Sequence, residues 1–170
     1  MANIELLRIP DHFHTYVKLV SGQSLTEAFQ LHQTSLKQTL VGTPAEKWEY
    51  RYAPGKWSVK EMVQHVIDTE RIFCYRALRF ARKDTTPLAG FDENDYAAAS
   101  QADSRSKADL LLELSTVQQS SAQLFASFSQ EQLNAAGVAS GKEVYVGGMG
   151  YIIVGHGLHH RNVLISKYLH

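Results

Sequence analysis

The sequence predicts an all-α fold, a four-helix bundle with short extra helices. Three observations predict it. Four long segments repeat apolar residues every three or four positions, as a helix face buried against neighbours does. Helix start signals open these segments, and glycine or proline interrupts the chain between them. Strand-like alternation is confined to one short piece, Glu143-Val144-Tyr145-Val146. Long amphipathic helices with little strand bury their faces best against one another. The 170 residues suit a single domain over positions 1–170.

The elements follow in chain order. Pro10 can occupy the first turn of a helix continuing through His12, Val17 and Val20, which Ser21-Gly22 interrupts. Ser24 with Glu27 is a capping box, and the helix it opens runs to about Leu40, with Leu25, Phe29, Leu36 and Leu40 on one side. Thr43-Pro44-Ala45-Glu46 predicts one further turn before Trp48. Ser58 with Glu61 is a second capping box, and Trp57 and Met62 are placed to form a hydrophobic staple across it. From Ser58 to about Lys83 there is no Gly or Pro, and Met62, Val66, Phe73, Ala77 and Phe80 mark a helical stripe. Asp84 to Ser100 reads as a long loop, a length that often carries function. A third long helix begins near Asp103 or Ser106 and reaches about Phe128, burying Leu110, Leu114, Val117, Leu124 and Phe128. Ser129 to Ala135 reads as a short capped helix stopped by Gly137, and a Gly-rich stretch to Gly150 leads into a last helix over about Gly148 to Leu169.

Composition limits the function. With 17 basic and 17 acidic residues the formal charge is zero, so the chain has no overall electrostatic footprint for nucleic acid or an anionic membrane. No apolar run approaches the roughly 20 residues that span a bilayer, and the N-terminus lacks the basic and apolar regions of a secretory signal. Cys74 is the lone cysteine, which precludes an intrachain disulfide and fits a reducing cytoplasm. Eight histidines are the unusual feature.

His156 and His160 are four apart on the last helix, about 40° apart around its axis, so both rings point one way. One helix can thus offer two imidazoles to one metal, as in HExxH zinc helices. The intervening residues here are Gly157, Leu158 and His159, so the catalytic Glu of that motif is missing and a metalloprotease is not expected. The spacing alone also arises in packed or surface histidines. His65, near the start of the helix opened by Ser58, lies beside Val66 on the buried side and can supply a third imidazole. Gly155 and Gly157 each cost about 1 kcal/mol against Ala in a helix interior, and either close helix approach or room for a ligand would account for them. His159 lies about 100° from His160 and reads as a surface group or a support for the site. His12, His14, His32 and His170 lack a spacing partner and read as surface residues. Asp68, Glu70 and Arg71 read as a solvated face with ion pairs; the alternative is that the carboxylates orient a ligand imidazole. Cys74 falls roughly 180° around the helix from His65 and reads as a small core residue. Gly147-Gly148-Met149-Gly150 is a weak anion-binding signal without P-loop spacing.

Tyr52-Ala53-Pro54-Gly55-Lys56-Trp57-Ser58-Val59-Lys60-Glu61, then His65 and Asp68-Thr69-Glu70-Arg71, resembles the DinB-like (DinB/YfiT) superfamily. Pro87-Leu88, Phe91-Asp92 and Tyr96 match as well, and so do Tyr151 to His156 and His159-His160. The likeness runs from about Ser24 to Tyr168. It implies up-down-down-up helix order, frequent homodimers, and a metal triad falling on His65, His156 and His160. Some similar proteins are thiol S-transferases, and many have no assigned reaction. The chain departs from the family pattern at Gly157, which is often larger, and at Gln118, where Arg is common, so substrate does not transfer by analogy.

These observations lead to an expected divalent-metal enzyme of thiol S-transferase or hydrolase type, acting on a small molecule that includes low-molecular-weight thiols among its candidates. One divalent transition metal is expected, zinc or nickel foremost. The competing class is a non-catalytic metal-binding stress protein, or a dimeric scaffold whose metal is structural. Phe91 and Tyr96 are candidates for one wall of the substrate pocket. Their segment leaves the far end of the helix that holds His65, so it must fold back along the bundle or cross from a partner to reach the site.

Overall fold

A computed structural model of the protein describes residues 4–170; residues 1–3 of the N-terminal segment read above fall outside the described residues. Four long helices form the bundle: α2 (Leu25–Val41), α3 (Val59–Ala81), α5 (Lys107–Ala126) and α7 (Val146–Val163). Smaller pieces surround them: α1 (His14–Val17), α4 (Glu93–Ala99), α6 (Gln130–Asn134) and a hairpin of β1 (Ala136–Ala139) and β2 (Lys142–Tyr145). Both expected capping boxes are present: Ser24 with Glu27 opens α2, and Ser58 with Glu61 opens α3. The predicted single helix through His12 and Val20 is instead a short α-turn between two 3₁₀ turns. A segment this short has little intrinsic helicity, and its docking on α7 decides its shape.

Side-chain contacts fix the helix directions. Arg71 pairs with Glu113 and the Cys74 thiol donates to Ser121 Oγ at 3.2 Å, so α3 and α5 run parallel. Lys37 Nζ donates to Ser115 Oγ at 2.9 Å and Lys107 Nζ to Val41 O at 3.1 Å, so α2 and α5 are antiparallel. Leu25 lies beside Gly150 and His32 beside Gly157, so α2 and α7 are parallel. The order is therefore up-down-down-up, and α2 and α3 face each other across the bundle's diagonal.

Two apolar clusters fill the interior. One gathers Phe29, Phe73, Phe125, Met149 and Ile152; the other gathers Leu36, Met62, Ile67, Leu114 and Leu164. A polar layer lies between them in sequence on three of the four long helices: His32, Glu70 and Gln118. His32 Nε2–H donates to Glu70 Oε2 at 2.8 Å, across the diagonal. His32 is 1% exposed and Glu70 2%, which corrects two expectations: His32 is not a surface residue, and Glu70 is not on a solvated face. The exposed partner in that charged run is Arg71, while Asp68 accepts from Gln64 at 2.8 Å. Gln118 is also buried, and its amide has no partner among the described residues.

The glycines of α7 make room for this arrangement. A Cβ on Gly155 would stand 2.2 Å from the Tyr16 carbonyl oxygen, and one on Gly157 would stand 2.8 Å from His32 Cε1. Close packing, not ligand space, is their structural reason. Gly147 to Gly150 is likewise buried, with the Tyr145 ring against Gly147 and Gly148, so no open anion cradle forms there. Removing the diagonal acceptor should be costly. Glu70→Ala is expected to destabilise by about 3 kcal/mol in urea unfolding, because it strands a buried imidazole. Asp68→Ala, two residues away but less buried, is expected to stay within about 1 kcal/mol.

Candidate metal centre

The capping box at Ser58 sets the start of α3 and so places His65 in its second turn. His156 and His160 occupy successive turns of α7, which runs antiparallel beside it; Tyr168, beyond α7, donates to Trp57 O before α3 begins. The three imidazoles meet through their Nε2 atoms. His156 Nε2 lies 3.0 Å from His65 Nε2 and 3.0 Å from His160 Nε2. All three are buried, and among the described residues they are the cluster able to hold a metal ion, with no fourth His, Cys, Asp or Glu joining them. Three nitrogens around a tetrahedral ion at about 2.0–2.1 Å would stand about 3.3 Å apart, so only a small opening separates this arrangement from a metal's requirement.

The electrostatics suit ligation. Burial, reinforced by the nearby His159, pushes the His65 imidazole down to about 4. Burial and then the neighbouring imidazoles hold His156 and His160 well below the usual histidine range. All three are neutral at pH 7 and free to donate a lone pair. The Trp57 ring packs on His65 with centroids 4.6 Å apart, Thr69 Oγ1 lies 3.5 Å from His65 Nδ1, and the Tyr16 ring meets His156 edge-on at 5.5 Å. These neighbours fix ring orientation. Cys74 takes no part: it is half-buried, and burial pushes its thiol up to about 12, so it is neither nucleophile nor ligand near neutral pH.

The triad lines the floor of a cavity of about 550 Å³. One stripe of α3 forms its length: His65, Thr69, Phe73 and Arg76, spaced four, four and three residues apart. Phe13 and Tyr16 close one side and Phe91 another. The 84–100 segment does fold back along the bundle. Leu88 bridges to Ala139 at the hairpin, which turns through Ser140 and Gly141 with both φ positive, the type I′ geometry. The chain then returns as far as Asp103, which accepts from Ser58 Oγ at 2.7 Å beside the start of α3. The predicted uniform loop is thus corrected: Asp92 caps a helix, α4, through the amides of Asn94 and Asp95. Of the two aromatics singled out in that segment, Phe91 lines the cavity. Tyr96 does not; it is 46% exposed and packs against Phe91 with centroids 5.0 Å apart. His159 is partly buried at the cavity rim, against Tyr16. Sequence reasoning missed Arg76 and the stacking role of Trp57; the three-turn spacing of Arg76 from His65 was the available signal.

No protein of curated function is similar to the chain at a significant level. YfiT from Bacillus subtilis, described as "a probable metal-dependent hydrolase with an unusual four-helix bundle topology", shares the fold with a TM-score of 0.75 over 84% of this chain and 83% of that chain, at 15% sequence identity. A sequence profile of the DinB superfamily matches residues 28–164, so the chain belongs to the DinB superfamily.

Proposed function

We propose that the protein is a metal-dependent enzyme acting on a small molecule, with His65, His156 and His160 holding one divalent transition metal, zinc or nickel foremost. The observation that carries this is the convergence of three neutral imidazole Nε2 atoms at the floor of an open cavity, without a fourth protein ligand among the described residues. Structural sites are usually closed by four protein ligands, whereas catalytic sites keep a position open. When bound, such a cation lowers the pKa of a water or small thiol and so supplies a nucleophile near neutral pH. The protein's own part is positional: Trp57 and Thr69 orient His65, and the aromatic walls exclude bulk water. Hydrolase chemistry has the support of the fold shared with YfiT, and thiol transfer that of the family resemblance. Titrating the cobalt-substituted protein with small thiols separates them: a thiolate-to-metal charge-transfer band favours thiol transfer, and its absence with every thiol favours hydrolysis.

The same resemblance supports a homodimer formed through long helix faces in a reducing cytoplasm. Val41 on α2 and Leu112 on the adjoining α5 are 57% and 69% exposed, the kind of side chains such a face would cover. Light scattering at micromolar concentration should give twice the monomer mass; the monomer mass would contradict it.

A further inference from the structure

Arg76 is 5% exposed, lines the cavity and carries a charge with no carboxylate paired to it among the described residues. Its Nη2 donates to two neutral acceptors, Ala89 O at 2.8 Å and Ser140 Oγ at 3.2 Å. The other arginines that hold bundle segments in place lie nearer the surface and do so through acids: Arg51 to Glu61 and Asp103, Arg79 to Asp84, Arg105 to Asp109 and Glu113. Arg76 alone among these is buried without that compensation. Burial lowers its pKa, with no neighbouring acid opposing the shift. A buried charge left unpaired is destabilising, and a guanidinium fork is matched to carboxylate geometry. Phe73 and Phe91 flank it, with centroids 5.3 and 5.9 Å from its Cζ, so the group that pairs with it would do so in a weakly hydrated setting.

We propose that Arg76 is the binding residue for a carboxylate on the substrate, and that the natural ligand is an elongated molecule with its carboxylate at Arg76 and its reacting group at the histidine triad. The second half of this rests on the metal-site reading above; the first half does not. Eleven residues separate His65 from Arg76 along α3, roughly 16 Å of helix. Thr69 and Phe73 line the path between them, and Met149 and Ile152 face it from α7. The substrate class is therefore a small acid with an apolar or aromatic middle and a reactive far end. Lys142 stands at the same rim and adds positive potential, while Glu93, also in the wall, opposes it.

The test uses octanoate, octanamide and 8-mercaptooctanoate as probes, titrated calorimetrically into the full chain with and without metal. Octanoate should bind at least about tenfold more tightly than octanamide, as a charge-assisted hydrogen bond requires, and Arg76→Gln should abolish that difference. Arg76→Lys keeps the charge without the fork and should retain part of it. The Arg76 Nε–H resonance should shift on adding octanoate to wild-type protein, a readout independent of variant folding. Equal binding of acid and amide, or an Arg76 resonance unmoved by saturating octanoate, would overturn the carboxylate site. The metal reading fails separately: 8-mercaptooctanoate binding equally to metal-loaded and metal-free protein would count against the triad while leaving the octanoate comparison intact.

Discussion

His65→Ala, His156→Ala and His160→Ala are each expected to weaken divalent-metal binding by about a thousandfold, and His159→Ala to leave it nearly unchanged. A protein-held zinc ion is bound with roughly 10–16 kcal/mol, so one of three imidazoles accounts for about 4 kcal/mol. The difference between adjacent positions 159 and 160 is the informative part. His160 presents Nε2 to His156 at 3.0 Å, whereas His159 turns to the rim and packs on Tyr16 with centroids 4.9 Å apart. Competition against a chromogenic chelator measures all four variants on one scale. Equal losses at 159 and 160 would mean that the wrong face of α7 has been assigned.

The metal-free protein is expected to lose stability steeply as pH falls from about 7 towards 5. In the folded state His65 titrates at about 4 and His156 and His160 titrate well below the usual range, while in the unfolded chain all three titrate near 6.5. Between those limits the unfolded state binds more protons, so falling pH favours unfolding. The penalty is absent well above pH 6.5 and grows as pH falls through it. The His65 share stops growing below about pH 4. Each group contributes up to about 1.4 kcal/mol per pH unit, so three together reach about 4. Urea unfolding of chelator-treated protein between pH 8 and 5 measures this slope. His65→Leu should remove about one proton's worth, and a pH-independent stability would show that the imidazoles are not buried neutral.

Local signals made much of this legible. The capping boxes at Ser24 and Ser58 reproduce their hydrogen bonds, because a cap is formed within four residues and needs nothing distant. The His156–His160 pair is similarly local, since helical geometry alone aligns the rings. The His32–Glu70 bond was hidden because its partners are 38 residues apart and each looks polar in its own neighbourhood. A buried charge or imidazole has no periodicity of its own, and only the facing helix reveals it. Helix α4 was missed for a different reason: its residues of Glu, Asn, Asp and Ala around Tyr96 show no apolar stripe, and the Asp92 cap is the main signal. The path of the 84–100 segment could not be read either, because it depends on the Leu88–Ala139 bridge to a hairpin that is distant in sequence. That path is what brings Phe91 to the cavity and leaves Tyr96 on its outer side.

Calorimetric titration of zinc and of nickel into chelator-stripped protein without a histidine tag tests the central claim most directly. The account predicts one site per chain, with affinity tighter than micromolar, proton release near pH 7 limited to ionisation of water held by the metal because the three imidazoles are already neutral, and loss of that site in His156→Ala. Stoichiometry well below one for every divalent transition metal tried, in protein that is folded by circular dichroism, would contradict it.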